Sequence, residues 1–536
     1  MAISRLRLLG RLALGATSAS GAAGAYAYQQ DEGVRRSVTF WSRALPIYAH
    51  YRWLQYVELP LRGIDLSSPE SERRYDELHE KYAPQVELLA LELRGFYLKG
   101  AQICSTRDDL VPDAHMRWCK RMQAEVPTPF APGESRRVVE DALGGPTEFA
   151  RTFSEWEDVP LGAASIGVVH RARLAETGEL VAVKVMMPGI ERKFRSDIGT
   201  VKRFCQLAMP QHVSALDEVE AQFFTEFDYV LEAQNMSRVH ANLMPSKWSR
   251  YVAVPRPISE LCSRHVLVME LLPGQKLDVG LRRQWERIAR RRGISLTELE
   301  ASEKAKPMRP LGEGTWRHAL FAASLRAIDA LANACRWGYN WSAGVALGRV
   351  PYAWSEVPAE LGSILKLLCE VHAHEIFVDG VFNADPHPGN LILMPDGRLG
   401  LIDYGQCKSL PLDFRIKYAK LIVALADGQN GEAVRIATEE IGLRTKRNDP
   451  DVLWRVLAMH HDRDTADVTN GLNLQLFMEW AEAQDPMVYT PPDLVMPGRV
   501  TMMMRGFANS FRLQISVAAL WREQAVEFLR SQGELP

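Results

Sequence analysis

The stretch FNADPHPGNLILMPDGRLGLIDYGQ, residues 382–406, carries the most information about the fold of this 536-residue chain. It contains three oxygen-bearing side chains, Asp385, Asn390 and Asp403, among glycine, proline and short apolar runs. A Pro-Asp-Gly triplet between Asn390 and Asp403 is typical of a turn that joins two short strands. The sequence therefore predicts a polar loop, then a hairpin, with a carboxylate directly after the second strand.

The spacing of these three residues indicates a chemistry. Asn390 follows Asp385 by five positions, and Asp403 begins an Asp-Tyr-Gly triplet. In protein kinases a catalytic-loop aspartate precedes a metal-binding asparagine by five positions, and a second metal-binding aspartate opens a similar triplet after a short hairpin. Mg²⁺ prefers oxygen ligands. We therefore predict that Asn390 and Asp403 bind Mg²⁺ and that Asp385 orients the attacking hydroxyl or water.

The residues upstream alternate in the manner of strands. β-Branched and polar residues alternate over three runs, which predicts antiparallel strands at 156–161, 167–174 and 179–186. Thr177-Gly178 is a hairpin turn between the second and third of these strands. Acidic and apolar residues then alternate with helical period, which predicts a helix over 213–241.

A further buried strand ends at Pro273-Gly274, a candidate hinge, and the chain beyond it is predicted helical apart from strands at 391–394 and 399–402. The fold class predicted is α+β, a two-lobed protein-kinase-like fold with a small β-rich amino-terminal lobe and a large helical carboxyl-terminal lobe. The predicted domains are an organelle-targeting leader at 1–30, a helical extension at 31–150, the amino-terminal lobe at 151–275, and the carboxyl-terminal lobe at 276–536 with an insertion near 281–365.

Positive charge for the phosphates is predicted on the third strand. Lys184, in VAVKV, fits the lysine that contacts nucleotide phosphates and pairs with a helix glutamate. Glu226 and Glu232 are both candidates for that partner, and the sequence does not choose between them. The loop before the second strand lacks a glycine-rich motif, but its backbone amides can still approach phosphate. The remaining candidate nucleotide contacts are Ala163, Ala164, Ser165, Gly167, Met269 and Glu270.

Several of these motifs together resemble the aarF/UbiB family of atypical kinases. The similarity lies in AASIGVVH, VAVKV, EFDYVLEA and ADPHPGN and covers roughly residues 90–410. The leader and the aromatic segment that follows it look most like the mitochondrial, ADCK-one-like branch. The resemblance implies ATP and Mg²⁺ as cofactors, an alanine-rich nucleotide loop, and a role in mitochondrial lipid or ubiquinone homeostasis.

The resemblance also implies a regulatory extension that folds over the nucleotide cleft. Apolar residues at helical intervals predict one long helix running into Lys99-Gly100-Ala101-Gln102. The family has a Lys-x-Gly-Gln motif in its extension, whose role falls here on Lys99 and Gln102. The chain departs from the family pattern at three positions, with Ala101 for Gly, Val168 for Gln and Tyr404 for Phe.

Two functional classes follow from these residues. The first is an enzyme that hydrolyses ATP or phosphorylates a lipid- or quinone-like acceptor, with Asp385 and Lys184 as its catalytic residues. The second is a catalytically weak pseudokinase, a nucleotide-sensing scaffold at a membrane. The acceptor and the oligomeric state are not determined by the sequence.

The amino terminus predicts import into an organelle. It has three arginines, many small and hydroxylated residues, and no acidic residue before Asp31. Mitochondrial import is the first interpretation, with an inner-membrane or matrix location, and chloroplast import is the alternative. Leu12–Tyr28 also resembles a short membrane anchor, and Ala25-Tyr26-Ala27 a secretory cleavage site. Seven cysteines without C-x-x-C spacing argue against secretion and against a zinc site.

The overall charge of the chain does not favour binding to nucleic acid, since the formal net charge is −2. One local exception is a run of six arginines between 282 and 292. Its ordinary interpretation is a solvated helix face, and the alternatives are contact with anionic lipid head groups or nucleic acid. We expect no nucleic-acid partner, and expect a nucleotide and a mitochondrial membrane surface as partners.

Overall fold

The structure is a computed structural model. It describes residues 26, 28–65, 68–104, 111–124, 130–163, 166–208, 220, 223–312, 315–354 and 360–535. The chain divides into two compact units. The first comprises Met1–Ala233 and Pro257–Leu271, and the second comprises Gln234–Arg256 and Leu272–Pro536. Most of the predicted leader, residues 1–25 and 27, lies outside the described residues.

The first unit combines helices with a sheet. Its strands are Phe153–Trp156, Gly162–Ala163, Gly167–Leu174, Leu180–Met186 and Val266–Glu270. Its helical segments are Glu32–Trp53, Leu54–Glu58, Leu59–Leu61, Pro69–Leu93, Phe96–Cys104, Asp113–Ala124, Glu134–Leu143, Pro146–Thr152, Ile190–Ala208, Phe224–Phe227 and Ser259–Leu261. The helix Tyr229–Leu243 begins in this unit.

The second unit is mainly helical, as predicted. Its helical segments are Lys247–Arg250, Leu277–Arg292, Leu296–Lys304, Thr315–Trp341, Gly344–Leu347, Leu361–His374, Glu375–Asp379, Pro388–Asn390, Leu412–Ala426, Asn430–Arg435, Ile436–Ile441, Pro450–His461, Ala466–Thr469, Leu474–Gln484, Pro492–Ser510 and Val517–Ser531. Its short strands are Val252–Ala253, Gln275–Lys276, Arg309–Pro310, Val381–Asn383, Leu391–Leu393, Leu399–Leu401, Cys407–Ser409, Arg444–Thr445, Met487–Tyr489 and Leu513–Gln514. Only the pair near 391–402 was predicted.

The sheet of the first unit is antiparallel throughout. Gly167–Leu174 and Leu180–Met186 pair over seven residues, which confirms the predicted hairpin. Val266–Glu270 pairs with the far edge of Leu180–Met186. Valines occupy alternate positions in Leu180–Met186 and in Val266–Glu270, and they pack with Phe149 and Phe153 in one core cluster. The alternation places one face of the sheet in this core, as β-strand geometry requires.

The first predicted strand, 156–161, is wrong in its bounds. The structure has Phe153–Trp156 and Gly162–Ala163 instead, both paired with Gly167–Leu174. Pro160 lies in the interruption and has no backbone N–H to give to a ladder. The Leu161 amide donates to the Val169 carbonyl at 2.7 Å, so the chain at Leu161 still runs alongside the strand Gly167–Leu174.

The predicted helix over 213–241 is confirmed only in its second half. Tyr229–Leu243 is an α-helix, but Phe224–Phe227 is a 3₁₀ turn, and residues 209–219 and 221–222 lie outside the described residues. Asp228 separates the two helical segments. Its side chain accepts from the Val230 and Leu231 amides at 2.9 and 3.2 Å, which is an N-cap.

The prediction of a single long helix that reaches Lys99 is wrong, because the helix ends at Leu93 and a second helix begins at Phe96. Arg94 and Gly95 both adopt positive φ, at 56° and 48°. The Leu93 carbonyl accepts from Arg36, a residue of the helix Glu32–Trp53, so it is unavailable to a continuing helix. The break lets Phe96–Cys104 pack against Asp113–Ala124 through Leu98 and Trp118.

The hairpin in the second unit matches the prediction. Leu391–Leu393 pairs antiparallel with Leu399–Leu401, and the Gly397 amide donates to the Met394 carbonyl at 3.0 Å in the turn. Leu391–Leu393 also pairs with Gln275–Lys276. Just before that strand, Gly274 has φ 145°, and a Cβ there would lie 2.3 Å from the Leu393 carbonyl oxygen. Only glycine fits this position.

We predict that Gly274→Ala destabilises the second unit. The added methyl group meets a backbone atom, and an alanine does not adopt this φ without strain, so the free energy of unfolding should fall by about 2–4 kcal/mol. Thermal and urea unfolding of the purified protein measure the effect.

Gly199→Ala is the matched control. Gly199 lies within the helix Ile190–Ala208, and a Cβ there would have no neighbour within 4 Å. The same substitution should therefore raise stability by up to about 1 kcal/mol. Equal destabilisation by the two variants would contradict the close packing at Gly274.

Candidate functional site

Lys184 lies in the middle of the first unit's sheet, between Val169 and Leu267 of the neighbouring strands. Its Nζ contacts both carboxylate oxygens of Glu232, at 2.8 and 3.0 Å. The two side chains are nearly buried, with 12% and 2% of their surfaces exposed. A buried charge needs a partner, so this ion pair fixes the lysine at the sheet surface. Of the two glutamates that the sequence left open, Glu232 is the one that pairs with Lys184.

Glu226 pairs with a different lysine. The Lys99 Nζ lies 2.8 Å from Glu226 Oε1, and both side chains are largely buried. Lys99 belongs to the helix Phe96–Cys104, whereas Glu226 lies in the 3₁₀ turn before Asp228. Two predicted site residues, one named as regulatory and one as nucleotide-binding, therefore meet in one ion pair.

The other predicted nucleotide contacts that the structure describes lie along the same sheet. Ala163 pairs with Val168, and a Cβ on Gly167 would lie 2.4 Å from the Val185 carbonyl oxygen, so Gly167 must be glycine. Met269 is buried and Glu270 half-buried at the end of their strand. Ala164, Ser165 and the side chain of Gln102 lie outside the described residues.

In the second unit, Asn383 connects two predicted site residues. Its Nδ2 donates to the Asp403 carbonyl at 2.7 Å, and its Oδ1 accepts from the Asp385 amide at 2.8 Å. Asn383 is buried at the end of the strand Val381–Asn383. It therefore holds the backbones of both aspartates with one amide group. The sequence interpretation missed this residue, although a polar side chain two positions before Asp385 was a signal for it.

Asn390 and Asp403 are also oriented by local hydrogen bonds. Asn390 Nδ2 donates to the Asp385 carbonyl at 3.4 Å, and Asp403 Oδ1 accepts from the Gly405 amide at 3.1 Å. The Ile402 amide donates to the Asn390 carbonyl at 3.1 Å, which links the loop to the second strand of the hairpin. These bonds bring Asp385, Asn390 and Asp403 into one hydrogen-bonded segment of chain.

The residues present fit Mg²⁺ held together with a phosphate ligand. Asn390 and Asp403 offer amide and carboxylate oxygens, the donors that Mg²⁺ prefers, and this ion usually keeps other positions for water and phosphate oxygens. Within the described ranges, no group of three or more His, Cys, Asp or Glu side chains is arranged to hold a metal ion.

His372 and Glu375 precede the loop, and the structure buries both completely. Burial lowers the pKa of His372 to about 4 and raises the pKa of Glu375 well above its usual value. Both shifts favour the neutral forms of these side chains.

Buried residues and backbone hydrogen bonds hold the loop and hairpin at residues 384–406 in place. Tyr404, in the Asp-Tyr-Gly triplet, is completely buried. Its carbonyl accepts from Asn235 Nδ2 at 3.2 Å, and Asn235 belongs to the same unit. The Ala384 amide donates to the Gln406 carbonyl at 2.8 Å, which pairs the two ends of the loop and hairpin. The segment is thereby held at both ends.

The fold and these residues define a protein-kinase-like class. A family model described as "ABC1 atypical kinase-like domain" matches residues 121–296 and 339–437, which together make up just over half of the chain. The chain belongs to the ABC1 atypical kinase-like family, in agreement with the aarF/UbiB resemblance. The prediction of a mitochondrial branch within that family stays a prediction.

Curated relatives carry names from the same family. The chain is 26% identical to the uncharacterized protein slr0889 of Synechocystis over 65% of this chain and 71% of that protein. It is 31% identical to the probable protein kinase UbiB of Azotobacter vinelandii over 44% of this chain and 40% of that protein. It is 26% identical to the Arabidopsis thaliana protein ACTIVITY OF BC1 COMPLEX KINASE 7, chloroplastic, over 59% of this chain and 35% of that protein.

The chain thus spans less than half the length of the last two relatives. The name of the Arabidopsis relative fits the chloroplast alternative and does not support a mitochondrial location. A solved complex of Rv3197 with erythromycin from Mycobacterium tuberculosis aligns with 84% of this chain and 97% of that chain, at 20% identity and a TM-score of 0.46. A likeness at that score supports no conclusion about this chain.

We predict that Lys184 couples energetically to Glu232 and not to Glu226. In a double-mutant cycle with Lys184→Met and Glu232→Gln, the coupling energy should be about 0.5–3 kcal/mol, because each single variant leaves a buried group without its partner. Urea unfolding of the wild type and the three variants gives this value.

The control cycle combines Lys184→Met with Glu226→Gln. Its coupling should be within about 0.5 kcal/mol of zero, since Glu226 contacts Lys99 instead. A larger coupling in the control cycle than in the first would contradict the pairing.

Proposed function

We propose that this chain binds ATP with Mg²⁺ and catalyses phosphoryl transfer or ATP hydrolysis. Lys184 would contact the phosphates, Asn390 and Asp403 would hold the metal, and Asp385 would orient the attacking hydroxyl or water. Bound Mg²⁺ supplies neutralising charge to the phosphates. The observation that carries the proposal is the pair of hydrogen bonds in which the Asn383 side chain donates to the Asp403 carbonyl and accepts from the Asp385 amide.

The physical argument is one of preorganisation. Phosphoryl transfer demands little covalent chemistry from the protein, and catalysis comes mainly from positioning and electrostatic stabilisation. A buried asparagine that fixes two aspartates costs no reorganisation at the moment of reaction. Lys184 is held in the same way, because its partner Glu232 is almost completely buried.

Substrate and location are the finer parts of the proposal. We infer a lipid- or quinone-like acceptor from the aarF/UbiB resemblance, which links the family to lipid and ubiquinone homeostasis. We infer an organelle from the leader. A chloroplast is favoured over a mitochondrion where the host cell has plastids, because several relatives bear the word chloroplastic in their names. A fluorescent fusion of residues 1–60 in the native host tests this location.

A second candidate function is nucleotide sensing without appreciable turnover. The observation that favours it is Val168, which is completely buried where the family commonly has glutamine. An apolar side chain there removes one polar group from the region of the nucleotide loop. Under this alternative the chain binds ATP, changes its contacts with partners, and releases the nucleotide unhydrolysed.

We predict that Asp403→Asn lowers the ATPase rate by about 10²-fold or more, because the variant loses charge that positions the metal and stabilises the transition state. A coupled assay of the purified full chain, with and without Mg²⁺, measures the rate. Thermal stabilisation by ATP with Mg²⁺ should also shrink in the variant.

Asp396→Asn is the matched control, because Asp396 lies in the turn of the same hairpin. It is exposed and accepts from the Arg398 amide at 3.0 Å, which an asparagine oxygen can also do. This variant should keep the wild-type rate. Stabilisation by ATP with no Asp403-dependent hydrolysis would favour nucleotide sensing, and the lack of any stabilisation would contradict both functions.

A further inference from the structure

The helix Thr315–Trp341 presents an apolar face to solvent. Two of its larger exposed side chains, Ile328 and Leu331, have 63% and 71% of their surfaces accessible. The helix lies mostly in residues 297–338, the interval that the family model does not match. Five of its exposed apolar side chains form what we call the apolar stripe: Leu320, Phe321, Ile328, Leu331 and Tyr339.

Helical geometry places the stripe on one side of the helix. At 3.6 residues per turn, positions 320, 328, 331 and 339 fall within about 100° of one another. The charged residues Arg326, Asp329 and Arg336 fall outside that sector, and position 317, an arginine in the first turn of the helix, is the exception that falls inside it. The helix is therefore amphipathic, and its apolar side is the exposed one.

Two asparagines on the polar side of the helix are buried against the chain itself. Asn333 exchanges two hydrogen bonds with the Ala353 backbone, both 3.0 Å long. Asn340 does the same with Val350, at 2.8 and 2.7 Å. Surface helices normally bury the apolar side and expose the polar one. This arrangement is the reverse, so the apolar stripe requires an occupant from outside the described chain.

The composition around the stripe indicates what the occupant is. Residues 315–354 contain four arginines, one aspartate, and no lysine or glutamate. Further exposed aromatic residues are Trp337 and Trp341 in the same helix and Tyr352 and Trp354 after it. Trp and Tyr are enriched at membrane–water interfaces, and basic residues are attracted to anionic head groups. A second copy of the same surface would instead bring two positively charged segments together.

We propose that the helix Thr315–Trp341 docks the protein on the surface of a bilayer containing anionic lipid. The apolar stripe enters the boundary between head groups and acyl chains, and the helix lies parallel to the membrane plane. The exposed arginines of the helix Leu277–Arg292, in the same unit, add attraction to the same kind of surface. This inference concerns a part of the chain that is separate from the nucleotide residues, and it holds whether or not ATP is hydrolysed.

Vesicle flotation of the purified full chain tests the proposal. We expect the wild type to bind phosphatidylcholine vesicles that contain about one-third phosphatidylglycerol, and to bind pure phosphatidylcholine vesicles more weakly. Leu331→Asp should lower the partition coefficient by about tenfold or more, because it places a charge in the apolar stripe. Raising the salt from about 0.1 M to about 0.5 M should weaken wild-type binding.

Leu412→Asp is the matched control. It makes the same chemical change at an exposed leucine in the first turn of the helix Leu412–Ala426, where an aspartate suits the helix dipole. This variant should bind vesicles as the wild type does. A thermal unfolding midpoint like that of the wild type in both variants verifies that the fold is intact.

Three results would overturn the proposal. The first is a wild type that does not bind the anionic vesicles, and the second is a Leu331→Asp variant that binds them equally well. The third is a lipid-free dimer, detected by light scattering, that Leu331→Asp dissociates, because the occupant of the stripe would then be a second copy of the chain.

Discussion

The side-chain amide of Asn383 is the constraint on which the polar loop depends. An asparagine at the end of a buried strand can donate and accept at once, and here it does both, to the backbone of Asp403 and from the backbone of Asp385. Aspartates that lie 18 positions apart in sequence are thereby held by one group. Leucine or alanine in its place would remove both hydrogen bonds from these partly buried backbone groups, which destabilises the loop.

Charge pairing has the corresponding role in the first unit. Lys184 and Lys99 are both removed from water, and each has a carboxylate within 2.8 Å. Such pairs are weak evidence for stability, because desolvation offsets much of the attraction. Their value lies in geometry, since each lysine is held in one position. The family to which the chain belongs gives that geometry a chemical meaning without identifying the acceptor.

The sequence predicted the features that depend on local pattern. The hairpin after Asn390 and the strands on either side of Gly178 follow from residue type and spacing. It failed where a distant residue decides the outcome. At the helix break after Leu93, the Leu93 carbonyl accepts from Arg36, which lies far away in sequence, and no periodicity shows that contact. Likewise, the choice of Glu232 for Lys184 is set by packing, because both glutamates lie in the same polar pattern.

The cap at Asp228 has a mechanical consequence. It lies between Glu226 and Glu232, and it fixes the direction in which the helix Tyr229–Leu243 leaves the preceding turn. The carboxylates of Glu226 and Glu232 are therefore held at a fixed distance and direction from each other. A deletion or insertion in this short interval would turn one acid away from its lysine even if every ion-pairing residue were kept.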